Sequence, residues 1–125
     1  MNREAKRHSA KLGEAGEALA CEELRRRGLR ILACRYRTRY GELDIIAADG
    51  DTTVFVEVKA RRGSAFGEAA ASIPGWKRRR IGAMALDYMA WTGRLDHPCR
   101  FDVVAIDGAS GPNPSVQVIE HAFDI

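Results

Sequence analysis

The sequence predicts an α/β protein in which a mixed β-sheet is flanked by helices, and three observations support this class. A helical stretch opens the chain, three short apolar strands follow it, and a second helical stretch leads to two more strands. This order, α-β-β-β-α-β-β, is typical of a mixed sheet with helices packed on it. With 125 residues, 46% of them hydrophobic, residues 1–125 are expected to form one domain around one core.

Glycine marks the ends of both predicted helices. The first is expected from about Ala10 to Arg27, with Gly28 just after its C terminus. The second is expected to have Pro74 in its first turn and to end at Gly93. Its apolar residues recur at i, i+3, i+4 and i+7, which predicts a buried stripe. The stripe consists of Ile81, Met84, Ala85 and Tyr88.

The strands are expected where short apolar segments are bounded by glycine, proline and polar residues. The last of them is short and is expected at an edge of the sheet. The stretch from Arg61 to Ser72 contains Gly63, Ser64 and Gly67 and is predicted to be a mobile loop. The predicted strands are Leu29 to Tyr36, Gly41 to Ile46, Val54 to Lys59, Phe101 to Ile106 and Val116 to Ile119.

Asp44, Glu57 and Lys59 interrupt the second and third strands. Burying an unpaired charge is costly, so charged residues in apolar strands need an explanation. A divalent metal held between the two carboxylates is one explanation. The alternative is an ordinary ion pair of Glu57 with Lys59 on one face of a half-exposed strand, which contributes little to stability.

The turn between these strands decides whether the acids meet, because side chains alternate between the two faces of a sheet. A two-residue turn at Asp49-Gly50 places Asp44 across from Phe55 and diagonal to Glu57. A four-residue turn from Asp49 to Thr52 places Asp44 directly across from Glu57, with Cβ atoms roughly 4.5–5.5 Å apart. A three-residue turn separates them. The Asp-Gly pair favours the even turns.

Glu17 is an additional acid on the small and apolar side of the first helix. An acid that faces inward usually has a partner. Glu17 can therefore complete a metal shell with Asp44 and Glu57, or it can pair with an arginine. Both interpretations stay open at this point. The residues that share its side of the helix are Gly13, Ala20, Cys21 and Leu24.

Basic residues surround the acids, although the net charge is only +3. This arrangement suits a polyanion bound beside a metal. Among the aromatic residues, Trp76 is the best candidate for a nucleic-acid contact, whereas Tyr88 and Trp91 are expected to fill the core. Arg25, Arg26 and Arg27 are expected to be a solvated helix face. The expected nucleic-acid contacts are Arg61, Arg62, Lys77, Arg78 and Arg80.

Cysteine usage and the N terminus indicate the compartment. Cys21, Cys34 and Cys99 are odd in number and widely spaced, which favours thiols in a reduced compartment over disulfides. The N terminus is charged, and no apolar run approaches the about 18 residues of a membrane span. A cytoplasmic protein without membrane association is therefore predicted.

Several sequence blocks, taken in order, resemble one family. The segment from Gly13 to Ala20 resembles the first helix of that family. The segments from Gly41 to Asp44 and from Val54 to Lys59 resemble its two acidic strands. Its later blocks resemble Phe66-Gly67, the basic stretch after Pro74, and Arg100 to Val104. These blocks together resemble the YraN-like family of small bacterial proteins. That family is similar in turn to the restriction-endonuclease-like, or PD-(D/E)XK, nucleases, and to their Holliday-junction-resolvase-like members.

This resemblance implies a restriction-endonuclease-like core and a set of catalytic roles. Asp44 and Glu57 would bind Mg²⁺ or Mn²⁺, and Lys59 would be the lysine of the E-x-K signature. Glu17 would match the acid on the first helix of the resolvases, and would join the metal ligands. Lys77 would be a supporting polar residue on the following helix. A homodimer is implied by analogy with the resolvases. The sequence departs from the signature at Leu43, where many nucleases have proline.

The expected function is hydrolysis of phosphodiester bonds in a nucleic acid, with DNA favoured over RNA, by a metal-dependent endonuclease. Hard oxygen ligands suit Mg²⁺ or Mn²⁺, which stabilises charge and activates water. Two alternatives remain open. One is a nucleic-acid-binding module on the same fold that does not cleave. The other is an accessory protein that binds a partner through its basic face.

Overall fold

A computed structural model describes residues 3–61, 73–109 and 111–125, with side chains described for 14–60, 73–109 and 111–125. The element order is the predicted one, α-β-β-β-α-β-β. The predicted loop from Arg61 to Ser72 lies outside the described residues, except for the backbone of Arg61. The elements are α1 (Arg3–Arg26), β1 (Arg30–Thr38), β2 (Gly41–Asp49), β3 (Thr52–Arg61), α2 (Gly75–Trp91), β4 (Cys99–Asp107) and β5 (Ser115–Ile119).

Glycine ends the first helix, as predicted. Gly28 has a φ of 92°, in the region that favours glycine. The N–H of Gly28 donates to the carbonyl of Arg25, and the N–H of Leu29 donates to that of Leu24. This pair of hydrogen bonds is a Schellman motif, which satisfies carbonyls left free at a helix end.

The second helix starts one residue later than predicted. Pro74 precedes α2 as its N-cap residue, and the helix begins at Gly75. At the other end, Gly93 has a φ of 71° and follows the C-cap residue Thr92. Gly28 and Gly93 therefore mark where α1 and α2 end.

The five strands form one sheet in sequence order, from β1 to β5. Strand β2 is antiparallel to both β1 and β3, β3 and β4 are parallel, and β5 returns antiparallel to β4. The parallel pair needs a crossover connection, and α2 lies within it. Strand β5 lies at an edge, as predicted.

Two hydrophobic clusters cover the two faces of the sheet. The α2-side core packs the sheet against α2, and the α1-side core packs it against α1. The α2-side core contains Leu43, Ile46, Phe55, Ile73, Ile81, Met84, Ala85, Met89, Val103, Ala105 and Phe123. The α1-side core contains Ala20, Cys21, Leu24, Leu29, Ile45, Ala47, Val54, Val56, Val104 and Ile106.

The two aromatic residues that were expected to fill the core have different outcomes. Tyr88 packs edge-on against the rings of Tyr36 at 5.3 Å and Phe55 at 5.9 Å, which confirms its place in the core. The prediction that Trp91 fills the core is wrong, because its side chain is 80% exposed at the last turn of α2. Met89 is buried instead. Leu32 is exposed, because the register of β1 shifts between Ile31 and Ala33.

None of the helices in the described part of the chain is both long enough and apolar enough to cross a membrane.

Candidate metal centre

The alternation of side chains breaks at Asp44. Leu43 belongs to the α2-side core, but Ile45, two residues along the strand, belongs to the α1-side core. Regular alternation along a strand predicts that Leu43 and Ile45 share a face, and this prediction is wrong here. In the neighbouring strand the position across from Asp44 is Arg35, a non-glycine residue with a φ of 52°. This left-handed backbone is unusual for arginine and accompanies the break.

The turn between β2 and β3 brings the two acids together. Asp49 pairs with Thr52, so the turn is Gly50-Asp51, one residue later than the predicted two-residue turn. The pairing runs to Ile45 with Val56. One further step along this register places Asp44 across from Glu57, which is the geometry predicted for the longer turn.

The Asp44 carboxylate reaches across to the next strand. Its Oδ2 accepts a hydrogen bond of 2.9 Å from the backbone N–H of Val58. The pKa of Asp44 is raised from 3.8 to about 7, first because burial penalises the charged form and second because Glu57 is negatively charged. The N–H of Val58 and the ammonium of Lys77 oppose this rise. A cation between Asp44 and Glu57 would relieve the repulsion.

Glu57 is buried, and Lys77 reaches it from α2. The Lys77 Nζ lies 2.6 Å from Glu57 Oε1. This contact directs Lys77 toward the β2–β3 hairpin. Lys59 lies two residues beyond Glu57 on β3, next to Ala105 in the parallel register. Its side chain is half-buried and forms no ion pair with any side chain described here. The alternative of a simple Glu57–Lys59 pair is therefore not what the structure shows.

Glu17 is close enough for its charge to act on Asp44, but it has its own partner. Its Oε2 accepts a hydrogen bond of 2.6 Å from Nε of Arg35. Of the two interpretations of Glu17, the structure shows the arginine pair. No three acids, histidines or cysteines gather into a metal-binding group among the side chains that the structure describes. The role of Glu17 as a metal ligand stays a prediction.

Replacing Glu17 by glutamine tests that prediction. Glu17 acts on Asp44 through its charge and is held by Arg35, so loss of its charge should weaken Mn²⁺ binding by less than about fivefold. Isothermal titration of the variant against wild type measures the change. A loss greater than about tenfold would make Glu17 a ligand.

The predicted basic contacts are only partly described. Arg80 stacks on Trp76, with its guanidinium carbon 4.8 Å from the ring centre. Arg78 is engaged within the protein, because its Nε donates to the carbonyl of Ile73 at 3.0 Å. Arg61 ends β3, but its side chain and the whole of Arg62 lie outside the described residues. Among the described side chains, Lys77 is therefore the predicted contact that reaches one of the acids, whereas Arg80 lies over Trp76.

A second charged cluster lies on the opposite face of the sheet. Asp102 is fully buried and accepts hydrogen bonds of 3.2 Å from Nε of Arg100, its neighbour two residues earlier in β4. Nη1 of Arg100 also binds Asp49 at 2.8 Å, and the N–H of His121 donates to Asp102 at 3.1 Å. Sequence reasoning missed Asp49 and His121, because they come from distant segments.

The fold and the site define a class: a small α/β domain that carries two opposed carboxylates and two lysines at one end of a mixed sheet. The chain belongs to a known family. Residues 16–106 match the model of the uncharacterised protein family UPF0102. The family prediction is thereby confirmed.

Relatives in this family match most of the chain. A UPF0102 protein of Rhodococcus jostii is 44% identical over 93% of this chain and 98% of its own length. One from Pseudomonas aeruginosa is 45% identical over 90% of this chain and 91% of its own. One from Geotalea uraniireducens is 43% identical over 100% of this chain and 98% of its own. The similarity covers both acidic strands.

Proposed function

We propose that this protein is a metal-dependent endonuclease that hydrolyses phosphodiester bonds in DNA. One observation supports this proposal above the others: the charge of Glu57 acts on the Asp44 carboxylate, and Lys77 contacts Glu57. The β2–β3 register, extended by one step beyond Ile45 and Val56, sets the two acids across from each other. Two carboxylates beside two lysines suit a phosphate group and a divalent cation together.

The acids fit Mg²⁺ or Mn²⁺. Mg²⁺ is usually held by one or two carboxylates together with water and substrate phosphates, so a third protein ligand is not required. Oδ2 of Asp44 is oriented by the N–H of Val58, which holds the side chain toward β3. The charge repulsion from Glu57 contributes to the raised pKa of Asp44 and would fall when a cation binds.

The bound metal would supply charge stabilisation and an activated water. The two lysines have separate tasks in this proposal. Lys59, which makes no described ion pair, orients the attacking water or stabilises the charge that develops on the phosphate. Lys77 neutralises Glu57 in the free protein and is available to a phosphate oxygen once a cation takes its place. The helix end that carries Lys77 has no acidic residue in its first turn, which also favours an anion.

One observation favours a second function, a DNA-binding module without cleavage. The Lys77–Glu57 contact of 2.6 Å already neutralises one of the two carboxylates without a metal. If this pair persisted in the complex, the site would bind phosphate through its lysines and hold no cation. Mg²⁺-dependent cutting of DNA distinguishes the two functions, because only the nuclease cuts. Salt-sensitive binding without cutting would support the module.

Replacing Lys59 by methionine tests the assigned role of this residue. We expect cleavage to fall by about 10²–10⁴, because a positioned proton-transfer or charge-stabilising group is lost. The stabilisation of the fold by Mn²⁺ should remain, because the carboxylates are intact. Single-turnover cleavage and thermal unfolding with and without Mn²⁺ measure the two effects.

The matched control is Arg37→Gln, which removes an exposed cation that pairs with Glu42 at 3.5 Å. It should cleave within about twofold of wild type, because an exposed pair of this kind contributes little. Equal losses in the two variants would mean that net charge, rather than Lys59 itself, controls the reaction.

A further inference from the structure

An exposed surface of rings and arginines adjoins the start of β2, the strand that carries Asp44, and the start of α2, the helix that carries Lys77. It is formed by Arg39, Tyr40, Trp76 and Arg80, and we call it the aromatic–arginine surface. The side chains of Trp76 and Tyr40 are 54% and 42% exposed. Each ring has a guanidinium carbon 4.8 Å from its centre, from Arg80 over Trp76 and from Arg39 over Tyr40.

The two halves of this surface meet at Gly41. The Cδ atom of Arg80 lies 3.5 Å from the position that a Cβ on Gly41 would occupy, so the side chain crosses directly over the backbone next to Tyr40. Gly41 has a φ of 135°, which other residues rarely adopt. Arg80 therefore connects the turn before β2 with the first turn of α2.

The surface is also continuous with the candidate metal centre. Trp76 precedes Lys77, whose ammonium contacts Glu57, and Gly41 begins the strand that carries Asp44. Three residues separate Tyr40 from Asp44, which corresponds to roughly 13 Å along a strand. A nucleic acid with a phosphate at the acids would therefore place its next nucleotides on these rings.

We propose that the aromatic–arginine surface binds the unpaired bases of single-stranded DNA and guides the strand to the acids. This inference rests on the proposed function for its substrate. Exposed rings stack on bases whatever their sequence, and nearby arginines attract the phosphates. In a duplex the faces of the bases are already stacked on one another, so rings on a protein surface can reach only unpaired bases.

Binding measured in EDTA tests this inference without cleavage. Wild type should bind a fluorescein-labelled oligothymidylate at least about fivefold more tightly than a blunt duplex of the same length. Trp76→Leu should lose at least about fivefold in affinity for the single strand, the lower end of the effect of one stacked base. Its affinity for the duplex should change by less than about twofold. Trp76→Phe should keep most of the single-strand affinity, because a ring remains.

The chain offers a matched control in Trp91→Leu. Trp91 is more exposed than Trp76 and lies at the other end of α2, roughly 22 Å away along the helix. This variant should bind the single strand as wild type does. The inference is overturned if Trp76→Leu and Trp91→Leu bind the oligonucleotide equally well, or if wild type prefers the duplex.

Fluorescence supplies a direct readout, because the chain contains 2 tryptophans. In a Trp91→Phe background, Trp76 is the sole source of tryptophan emission, and stacking on a base should quench it on addition of oligothymidylate. Unchanged emission at saturation would contradict stacking. Because binding is measured without metal, these results are independent of cleavage. Single-strand binding through Trp76 without any cutting would contradict the proposed nuclease and support single-strand binding by the aromatic–arginine surface. Cutting without a role for Trp76 would support the nuclease and contradict single-strand binding by this surface.

Discussion

Replacement of Asp44 by asparagine is expected to abolish metal-dependent cleavage and, at the same time, to make the folded protein more stable above pH 7. The loss of cleavage follows from the loss of one of two carboxylates, and should be at least about 100-fold. The gain in stability follows from the raised pKa of Asp44, because asparagine has the shape of the neutral acid and can still accept from Val58.

The sign of the pH dependence follows from the same pKa. A carboxyl group whose pKa rises from 3.8 in the unfolded chain to about 7 in the folded protein binds more protons when folded. Its favourable contribution is complete below about pH 4 and is lost as the pH rises through 7. The difference in unfolding free energy between Asp44→Asn and wild type should therefore grow from pH 4 to pH 7 and stay constant above, at about 1–3 kcal/mol.

Urea denaturation in EDTA at pH 4.5, 6 and 8 measures this difference. Glu42→Gln is the matched control, because Glu42 lies on the same strand, is exposed and pairs with Arg37 at 3.5 Å. It should change neither cleavage nor stability by much. A variant Asp44→Asn that is less stable than wild type at pH 8 would mean that the carboxylate is favourably paired in the folded protein.

Replacement of Asp102 by alanine is expected to cause a loss of stability as large as that of a truncation in the hydrophobic core. Asp102 is fully buried, binds Arg100 and accepts the N–H of His121. Removal of the Asp102 side chain leaves the N–H of His121 without its acceptor. Arg100, which is 9% exposed, then has Asp49 at 2.8 Å as its nearest acid. We expect the unfolding free energy to fall by about 2–4 kcal/mol.

The control for Asp102 is Asp96→Ala. Asp96 is exposed and approaches His97 at 3.8 Å, so its loss should change the free energy by less than about 0.5 kcal/mol. A double variant, Arg100→Leu with Asp102→Leu, should lose less than the sum of the two single variants, because no buried charge remains alone. Additive losses would show that the two side chains do not act as a pair.

The fold was largely predictable from the sequence because its signals are local. Gly28 and Gly93 end helices by supplying a positive φ, and the periodic stripe at Ile81, Met84 and Ala85 marks the buried face of α2. Each of these signals depends on a few neighbouring residues. Trp91 illustrates the limit, because its exposure depends on where α2 ends relative to the sheet, which no local pattern specifies.

The site was predictable where it follows from strand register and not where it follows from tertiary contacts. An even number of residues in the turn predicts only that Asp44 and Glu57 share a face of the sheet. Their direct opposition depends on the position of the turn, which lies one residue later than the predicted two-residue turn. Two irregularities were not predictable from either strand segment alone, because they arise where β1 and β2 pair. They are the left-handed backbone at Arg35 and the break in alternation at Asp44. The hydrogen bond between Glu17 and Arg35 joins α1 to β1 at the residue that has this unusual φ.

Cleavage of labelled single-stranded, duplex and branched DNA by wild type and by Asp44→Asn, each with Mg²⁺, with Mn²⁺ and with EDTA, tests the proposed metal centre most directly. We expect wild type to cut at least one of these substrates with either metal. We expect no cutting by wild type in EDTA, and no cutting by Asp44→Asn under any of these conditions. Cleavage that persists in EDTA or in Asp44→Asn, or wild type that cuts none of the substrates with either metal, would contradict a nuclease built on Asp44 and Glu57.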